Sequence, residues 1–177
     1  IWRDIEVSKG RYEWGQLDEV VAHLQGARIN IMFSVVKSPR WATPTGTDDG
    51  TPRDPQDFAD FMRAITTRYK GKVSAYELWN EENLASETGG RIDPAFYVQL
   101  LKAGYLAVKG VDPTTLVVMG GLSPTGVNDP TLAVDDVVEA TFDQDIASVG
   151  SWSVAGSPRI LLRPSLAGIL TPPPSDW

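Results

Sequence analysis

Ala75-Tyr76-Glu77-Leu78-Trp79-Asn80-Glu81-Glu82-Asn83-Leu84 is a short apolar run that ends abruptly in two amides and two carboxylates. It reads as a strand that delivers Asn80 and Glu81 to a ligand-accessible rim. Side chains alternate along a strand, so a buried strand can hold a terminal carboxyl beside its own hydrophobic core while leaving it open to a ligand. Desolvation in that setting raises a carboxyl pKa, and a Glu so held can act as a general acid near neutral pH. The same string also fits a solvated strand-to-loop junction, and local reading alone leaves the two even.

The segments on either side repeat one pattern. Asp54 as N-cap and Pro55 at the first helical position open a helix in which Phe58, Phe61, Met62, Ile65 and Tyr69 recur at helical spacing, with Lys70-Gly71 as its stop. Beyond a polar loop containing Gly89-Gly90, Asp93-Pro94 repeats the start, and Tyr97, Leu100, Leu101, Tyr105 and Val108 line one face as far as Gly110. Ile29 to Val36 reads as a strand buried on both faces, and Leu116 to Gly121 as a third strand. Strand and helix thus alternate with a spacing of roughly forty residues, which predicts a parallel sheet with right-handed crossovers.

Upstream, Trp2 to Trp14 reads as a loop with turn chemistry at Lys9-Gly10. A helix over about 16–25 comes next, with Leu17, Val20, Val21 and Leu24 as its core stripe. His23 lies near the edge of that stripe and reads as a surface or packing residue. Trp41, just after Pro39, suits stacking on a sugar face as well as it suits packing. Thr43 to Arg53 is a polar surface loop. Past Pro130, Leu132 to Phe142 fits a helix and Asp145 to Trp152 a short strand, whereas Ser151 to Trp177 sustains no period and contains Pro172-Pro173-Pro174.

Composition narrows the function classes. The 177 residues suffice for one domain with a sizeable core. A net charge of -7 without a basic cluster argues against a nucleic-acid partner. The longest apolar run is too short to span a bilayer. The start at Ile1-Trp2-Arg3-Asp4 carries neither initiator Met nor signal pattern, so a processed chain or a fragment is expected. With no Cys and His23 as the single histidine, thiolate zinc sites are excluded and a Ser-His-Asp triad or multi-histidine metal site is disfavoured.

Three strand-end stretches carry a family resemblance. Trp2 to Trp14 followed by Leu17-Asp18 resembles the loop and helix after the second strand of clan A glycoside hydrolases. Ser34 to Ala42 resembles the end of their third strand, and Tyr76 to Leu84 the end of their fourth. The closest flavour is that of families 5 and 39, the cellulase and β-xylosidase-like members. The likeness covers residues 1 to about 140. It implies an α/β chain that is a partial (β/α)8 TIM barrel, holding strands three to five or six of eight. The domain is expected over 1–143, with an irregular, poorly ordered tail over 144–177.

By that resemblance Glu81 is the general acid/base of a retaining mechanism on β-glycosidic bonds, and Asn80 binds the sugar 2-hydroxyl. Trp41 is a candidate for the sugar site. The implied partner is a carbohydrate substrate, the implied location is extracellular, and no metal or organic cofactor is needed. The nucleophile must be a second carboxylate roughly 5 to 5.5 Å from the first. In the family it ends the seventh strand, and here no Glu follows Glu139. A full barrel takes about 250 residues. The expectation is therefore an incomplete site that is weak or inactive alone. The alternative is a non-catalytic carbohydrate-binding or assembly subunit, its open sheet closed by the tail, a second copy or another chain.

Overall fold

The computed structural model describes residues 2–46 and 50–123. The elements run α1 (Trp2–Ile5), β1 (Glu6–Ser8), β2 (Arg11–Tyr12), α2 (Gly15–Gly26), β3 (Met32–Val35), α3 (Pro55–Arg68), β4 (Ala75–Leu78), α4 (Ala85–Thr88), α5 (Pro94–Val111) and β5 (Leu116–Met119). The expected helix over 132–142, the short strand over 145–152 and the tail over 144–177 lie outside the described residues.

The strands β3, β4 and β5 form a parallel sheet in that order. Met32 pairs with Ala75 and Ala75 with Leu116, and the register runs unbroken to Val35, Leu78 and Met119. Parallel neighbours need a crossover, and α3 and α5 supply one each. Both helices start as the sequence indicates. The carboxylate of Asp54 accepts from the Gln56 amide at 2.9 Å, and that of Asp93 from the Phe96 amide at 2.9 Å, with Pro at the first helical position in each.

The core lies between the sheet and these helices. Phe33, Val35, Tyr76 and Leu78 from the strands meet Phe58, Phe61, Met62 and Ile65 of α3 and Leu100, Leu101 and Val108 of α5. Each large apolar side chain fully buried here contributes about 1.5 to 3 kcal/mol. The helices approach the central strand closely at Gly104, where a Cβ would lie 2.9 Å from Leu78 Cδ1 and 3.0 Å from Phe58 Cε1. Glycine is needed there to keep α5 against β4. Tyr105, expected in the α5 core stripe, is half-buried, while Gly104 and Ala107 are buried.

Three expectations need correction. First, β3 is not buried on both faces: Met32 is 56% exposed, and Leu116 and Val118 on the same face are also exposed. Alternation places Ser34, Ala75 and Glu77 there too, and of these Ala75 is buried. Second, of the four stripe residues of α2 only Val21 is buried; Leu17 and Leu24 are partly covered and Val20 is exposed. Third, the Trp2 to Trp14 loop contains one helical turn and a small antiparallel pair, β1 with β2. Gly10 at φ 78 makes their turn.

That N-terminal segment is bound to the sheet. The amides of Trp2 and Arg3 donate to the carbonyls of Val36 and Lys37, both at 3.0 Å. The Trp2 ring packs against Phe58 and Phe61 at centroid distances of 5.5 and 5.6 Å, and its Nε1 donates to the buried Glu6 carboxylate at 2.6 Å. A second attachment joins α2 to α3 through Asp18, which accepts from Arg68 and from the Tyr69 hydroxyl.

Candidate functional site

The three strands end on one rim, and the exits of β3 and β4 turn through left-handed residues. Lys37, Trp79 and Glu81 have φ values of 65, 71 and 50°, in the left-handed region that costs a side-chain-bearing residue roughly 1 to 2 kcal/mol. These turns end the regular pleat after Leu78 and redirect the chain at the rim. Asn80 and Glu81 are half-buried at the exit of the central strand.

The exits of β4 and β5 are joined beyond the last ladder pair. The Tyr97 hydroxyl, on α5, donates to the Leu78 carbonyl at 2.9 Å and accepts from the Gly120 amide at 2.8 Å. A phenol thus bridges the two strands at their ends. Further along, the Glu81 amide donates to the Gly121 carbonyl at 2.8 Å. The buried Asn83 side chain then donates to the Ser123 carbonyl at 2.9 Å and accepts from the Ser123 amide at 2.8 Å. These bonds fix the Glu81 backbone between two strand exits.

On the other flank, α4 ties β4 to β3. The Glu87 carboxylate pairs with Lys37 Nζ at 2.7 Å, and the Glu87 carbonyl accepts from Trp79 Nε1 at 3.1 Å. The Trp79 ring is itself fully buried, edge-on to Phe58 at 6.1 Å. The residue before Asn80 is therefore held by a hydrogen bond to α4 and a ring contact with α3.

Trp41 is half-buried and engaged. Its Nε1 donates to the Glu6 carbonyl at 3.0 Å and its ring stands edge-on to Trp2 at 6.0 Å. The exposed His23 ring hydrogen-bonds through Nδ1 with the carbonyl of Glu19, one helical turn earlier. Asn80 and Glu81 come together at the rim, and His23 stands apart on α2. A concavity of about 450 Å³ is lined by Tyr12, Trp14, Asp60, Arg63 and Arg68, and by none of the strand-exit residues. Among the described residues no group of three or more His, Cys, Asp or Glu is placed to hold a metal ion. No helix among them is long and apolar enough to cross a membrane.

Glu82 is the residue that sequence reasoning missed. Continued strand alternation turns it away from the site, but the left-handed turns at Trp79 and Glu81 break that alternation. It is 4% exposed, and among the described residues neither carboxyl oxygen is met by a hydrogen bond of good geometry, although its own amide and the Tyr97 hydroxyl lie close enough to act on it. Burial pushes its pKa up to about 8; its own amide and the Tyr97 hydroxyl oppose that rise and Glu77 adds to it. Glu6 is the instructive contrast. It too is buried and its pKa is raised by desolvation, but Gly10 and Trp2 donate to its two oxygens and oppose the rise. The signal that marks Glu82 in the sequence is its place as the second carboxylate of a polar cluster directly after an apolar strand.

No protein-family model matches the chain, and no curated protein matches it. Among solved structures it is similar to a family 39 glycoside hydrolase from the gut symbiont Bacteroides cellulosilyticus WH2, at TM-score 0.55 and 24% identity over 67% of this chain. It is also similar to a family 39 β-xylosidase from Caulobacter crescentus, at TM-score 0.52 and 19% identity over 78% of this chain. The matched chain spans 24% and 33% of those two proteins' lengths. At such identities the shared property is the fold: an α/β arrangement around a parallel sheet.

Proposed function

We propose that the chain is a glycosidase-type domain carrying the acid/base side of a retaining site for β-glycosidic bonds, with Glu81 as acid/base and Asn80 on the sugar 2-hydroxyl. The observation that carries this reading is the position of the Asn80-Glu81 pair. It leaves the central strand of a parallel sheet whose fold is shared with two family 39 enzymes. In α/β barrels ligands meet the carboxyl ends of the strands. On this reading β3, β4 and β5 are strands three to five of an eight-stranded barrel.

The chemistry is set by the two roles. Glu81, protonated, gives its proton to the departing glycosidic oxygen; as the carboxylate it then takes a proton from the water that attacks the glycosyl-enzyme intermediate. The Asn80 amide aligns the sugar through its 2-hydroxyl. The nucleophile has to stand about 5 to 5.5 Å from Glu81 with a clear line to the anomeric carbon. The enclosed Glu82 does not meet that requirement. Trp41, with its indole N–H already engaged, can offer a sugar only its exposed ring surface. The substrate class is a β-linked oligo- or polysaccharide, which suits an extracellular setting.

Calorimetric titration with β-1,4-linked xylo- and cello-oligosaccharides tests the reading. Asn80→Ala is expected to weaken binding about tenfold, the worth of roughly one good hydrogen bond. Absence of binding, or binding indifferent to both Asn80→Ala and Glu81→Gln, would remove the proposal.

One observation favours a second reading, an assembly subunit. Met32, Leu116 and Val118 are exposed on one sheet face, and among the described residues nothing pairs with the outer edges of β3 and β5. Sheets normally cover such faces and edges, here with a second copy or another chain. A strictly monomeric mass in solution at tens of micromolar would leave this reading without support.

A further inference from the structure

Beside the candidate acid/base residue lies a carboxyl that the proposed chemistry does not use. Glu82 is 4% exposed, and among the described residues neither of its oxygens is met by a hydrogen bond of good geometry. A buried polar group left in this way costs about 1 to 3 kcal/mol, and more if it is charged. The seat is close-fitting. A Cβ on Gly120 would lie 2.5 Å from Glu82 Oε2 and 2.9 Å from the Trp79 carbonyl oxygen, so only glycine leaves the carboxyl its room. Among the described residues the titratable groups facing it are Tyr97 from α5 and Glu77 from β4, and the exit of β5 presents the Gly120 backbone.

We propose that Glu82 is a positioning residue, its carboxyl wedged between the exits of β4 and β5 beside the Tyr97 hydroxyl and setting where the Glu81 backbone stands. The mechanism runs through Tyr97. A phenol has one proton to donate, and in this structure it goes to the Leu78 carbonyl while the hydroxyl oxygen accepts from Gly120. A neutral Glu82 leaves that bridge in place. An ionised Glu82 is a stronger acceptor and competes for the same proton. Drawing the phenol toward the carboxylate breaks the bridge to Leu78, two residues ahead of Asn80. The next contact along the same seam is the Glu81 amide on the Gly121 carbonyl. The protonation of Glu82 and the placement of Glu81 are thereby coupled. Burial, which pushes the Glu82 pKa up to about 8, brings that coupling into an accessible pH range.

The inference rests on the reading of Glu81 as the acid/base group, but its test does not need activity. The backbone amides of Glu81, Gly120 and Gly121 are followed by NMR from pH 6 to 9.5 in the wild type and in Glu82→Gln, which mimics the neutral acid. The expected result is one shared alkaline midpoint for the three amides in the wild type, and its loss in Glu82→Gln with the amides held at their low-pH positions. Amides that do not move, or that titrate unchanged in Glu82→Gln, overturn the proposal. Should Glu82→Gln not fold, the Glu82 side-chain carboxyl carbon in the wild type decides. A midpoint shared with the Glu81 amide supports the coupling, and a different one sinks it. If the coupling is seen but oligosaccharide binding is absent, the positioning relationship stands and only the acid/base reading of Glu81 falls.

Discussion

The Glu81 amide is bound to the Gly121 carbonyl at 2.8 Å, so the candidate acid/base residue is suspended between its own strand and the next. Its position depends on the β4–β5 seam, and the seam is tied to a helix through Tyr97.

Tyr97→Phe tests that dependence. The substitution keeps the ring and removes the hydroxyl, leaving the Leu78 carbonyl and the Gly120 amide without their shared partner. Loss of buried hydrogen-bond partners costs about 1 to 3 kcal/mol per group. Urea denaturation is expected to register a loss of about 2 kcal/mol or more, with faster hydrogen exchange at Gly120. A change within a few tenths of a kcal/mol would mean that the bridge is dispensable.

Stability should fall as pH rises across the neutral range. The Glu82 pKa is about 8 in the folded chain against an ordinary 4.5, so between these values the folded state holds a proton that the unfolded state has released. The favourable difference is complete below 4.5 and is lost by the time pH has passed 8. At about 1.4 kcal/mol per unit the full swing is on the order of several kcal/mol. Glu82→Gln should flatten this limb in denaturation curves taken from pH 5 to 9. An unchanged slope would show that Glu82 titrates as an ordinary carboxyl.

The acid side has the opposite sign. Hydrogen bonds from Arg68 hold the Asp18 pKa below its ordinary value, and that from the Phe96 amide does the same for Asp93. Their contributions are present above the ordinary carboxylate range and disappear as pH falls through the lowered values. Asp18→Asn should reduce the loss of stability seen as pH falls through and below the ordinary carboxylate range. An identical acid limb in the variant would count against the Asp18–Arg68 pair as a source of stability.

Gly104→Ala sets two effects against each other. Removing a helix-interior glycine gains up to about 1 kcal/mol in propensity. The new Cβ would press on Leu78 and Phe58 from 2.9 and 3.0 Å, and overpacking typically costs about 1 to 3 kcal/mol. Net destabilisation of about 1 kcal/mol is expected, and Gly104→Leu should not fold. A more stable Gly104→Ala would mean that α5 can withdraw from β4 without loss.

Hydrolysis of aryl β-xylosides and β-glucosides by the isolated chain is expected near the uncatalysed rate, because the site as proposed lacks its nucleophile. Turnover that vanishes in Glu81→Gln and passes through a trapped glycosyl-enzyme would overturn this.

How far the sequence could be read depended on whether the cause was local. Asp54-Pro55 and Asp93-Pro94 identify helix starts because capping is settled within three residues, and both caps form as expected. The apolar runs around Phe33, Leu78 and Val117 locate the strands. Burial was harder to read, because it depends on neighbours: Val20 has the right spacing for a core stripe and is exposed, and Met32 lies in an apolar strand and is exposed as well. At the site, the Asn80-Glu81 pair stands out as polar residues at a strand exit. Glu82 did not, because the pleat it was projected along ends at Leu78.

The left-handed residues have a consequence for how this protein can change. Lys37, Trp79 and Glu81 are three of the four non-glycine residues with positive φ among the described residues, and all three lie at strand exits. At Lys37 and Glu81, both partly exposed, glycine or asparagine replacements would relax the backbone and gain stability. Each of these two replacements would also discard a side chain that the rim uses, the ion-pair partner of Glu87 or the candidate acid itself, whereas at Trp79 the loss of a fully buried indole would outweigh the relief. The rim should therefore erode before the core does, and its persistence in a lineage would indicate that it is still in use.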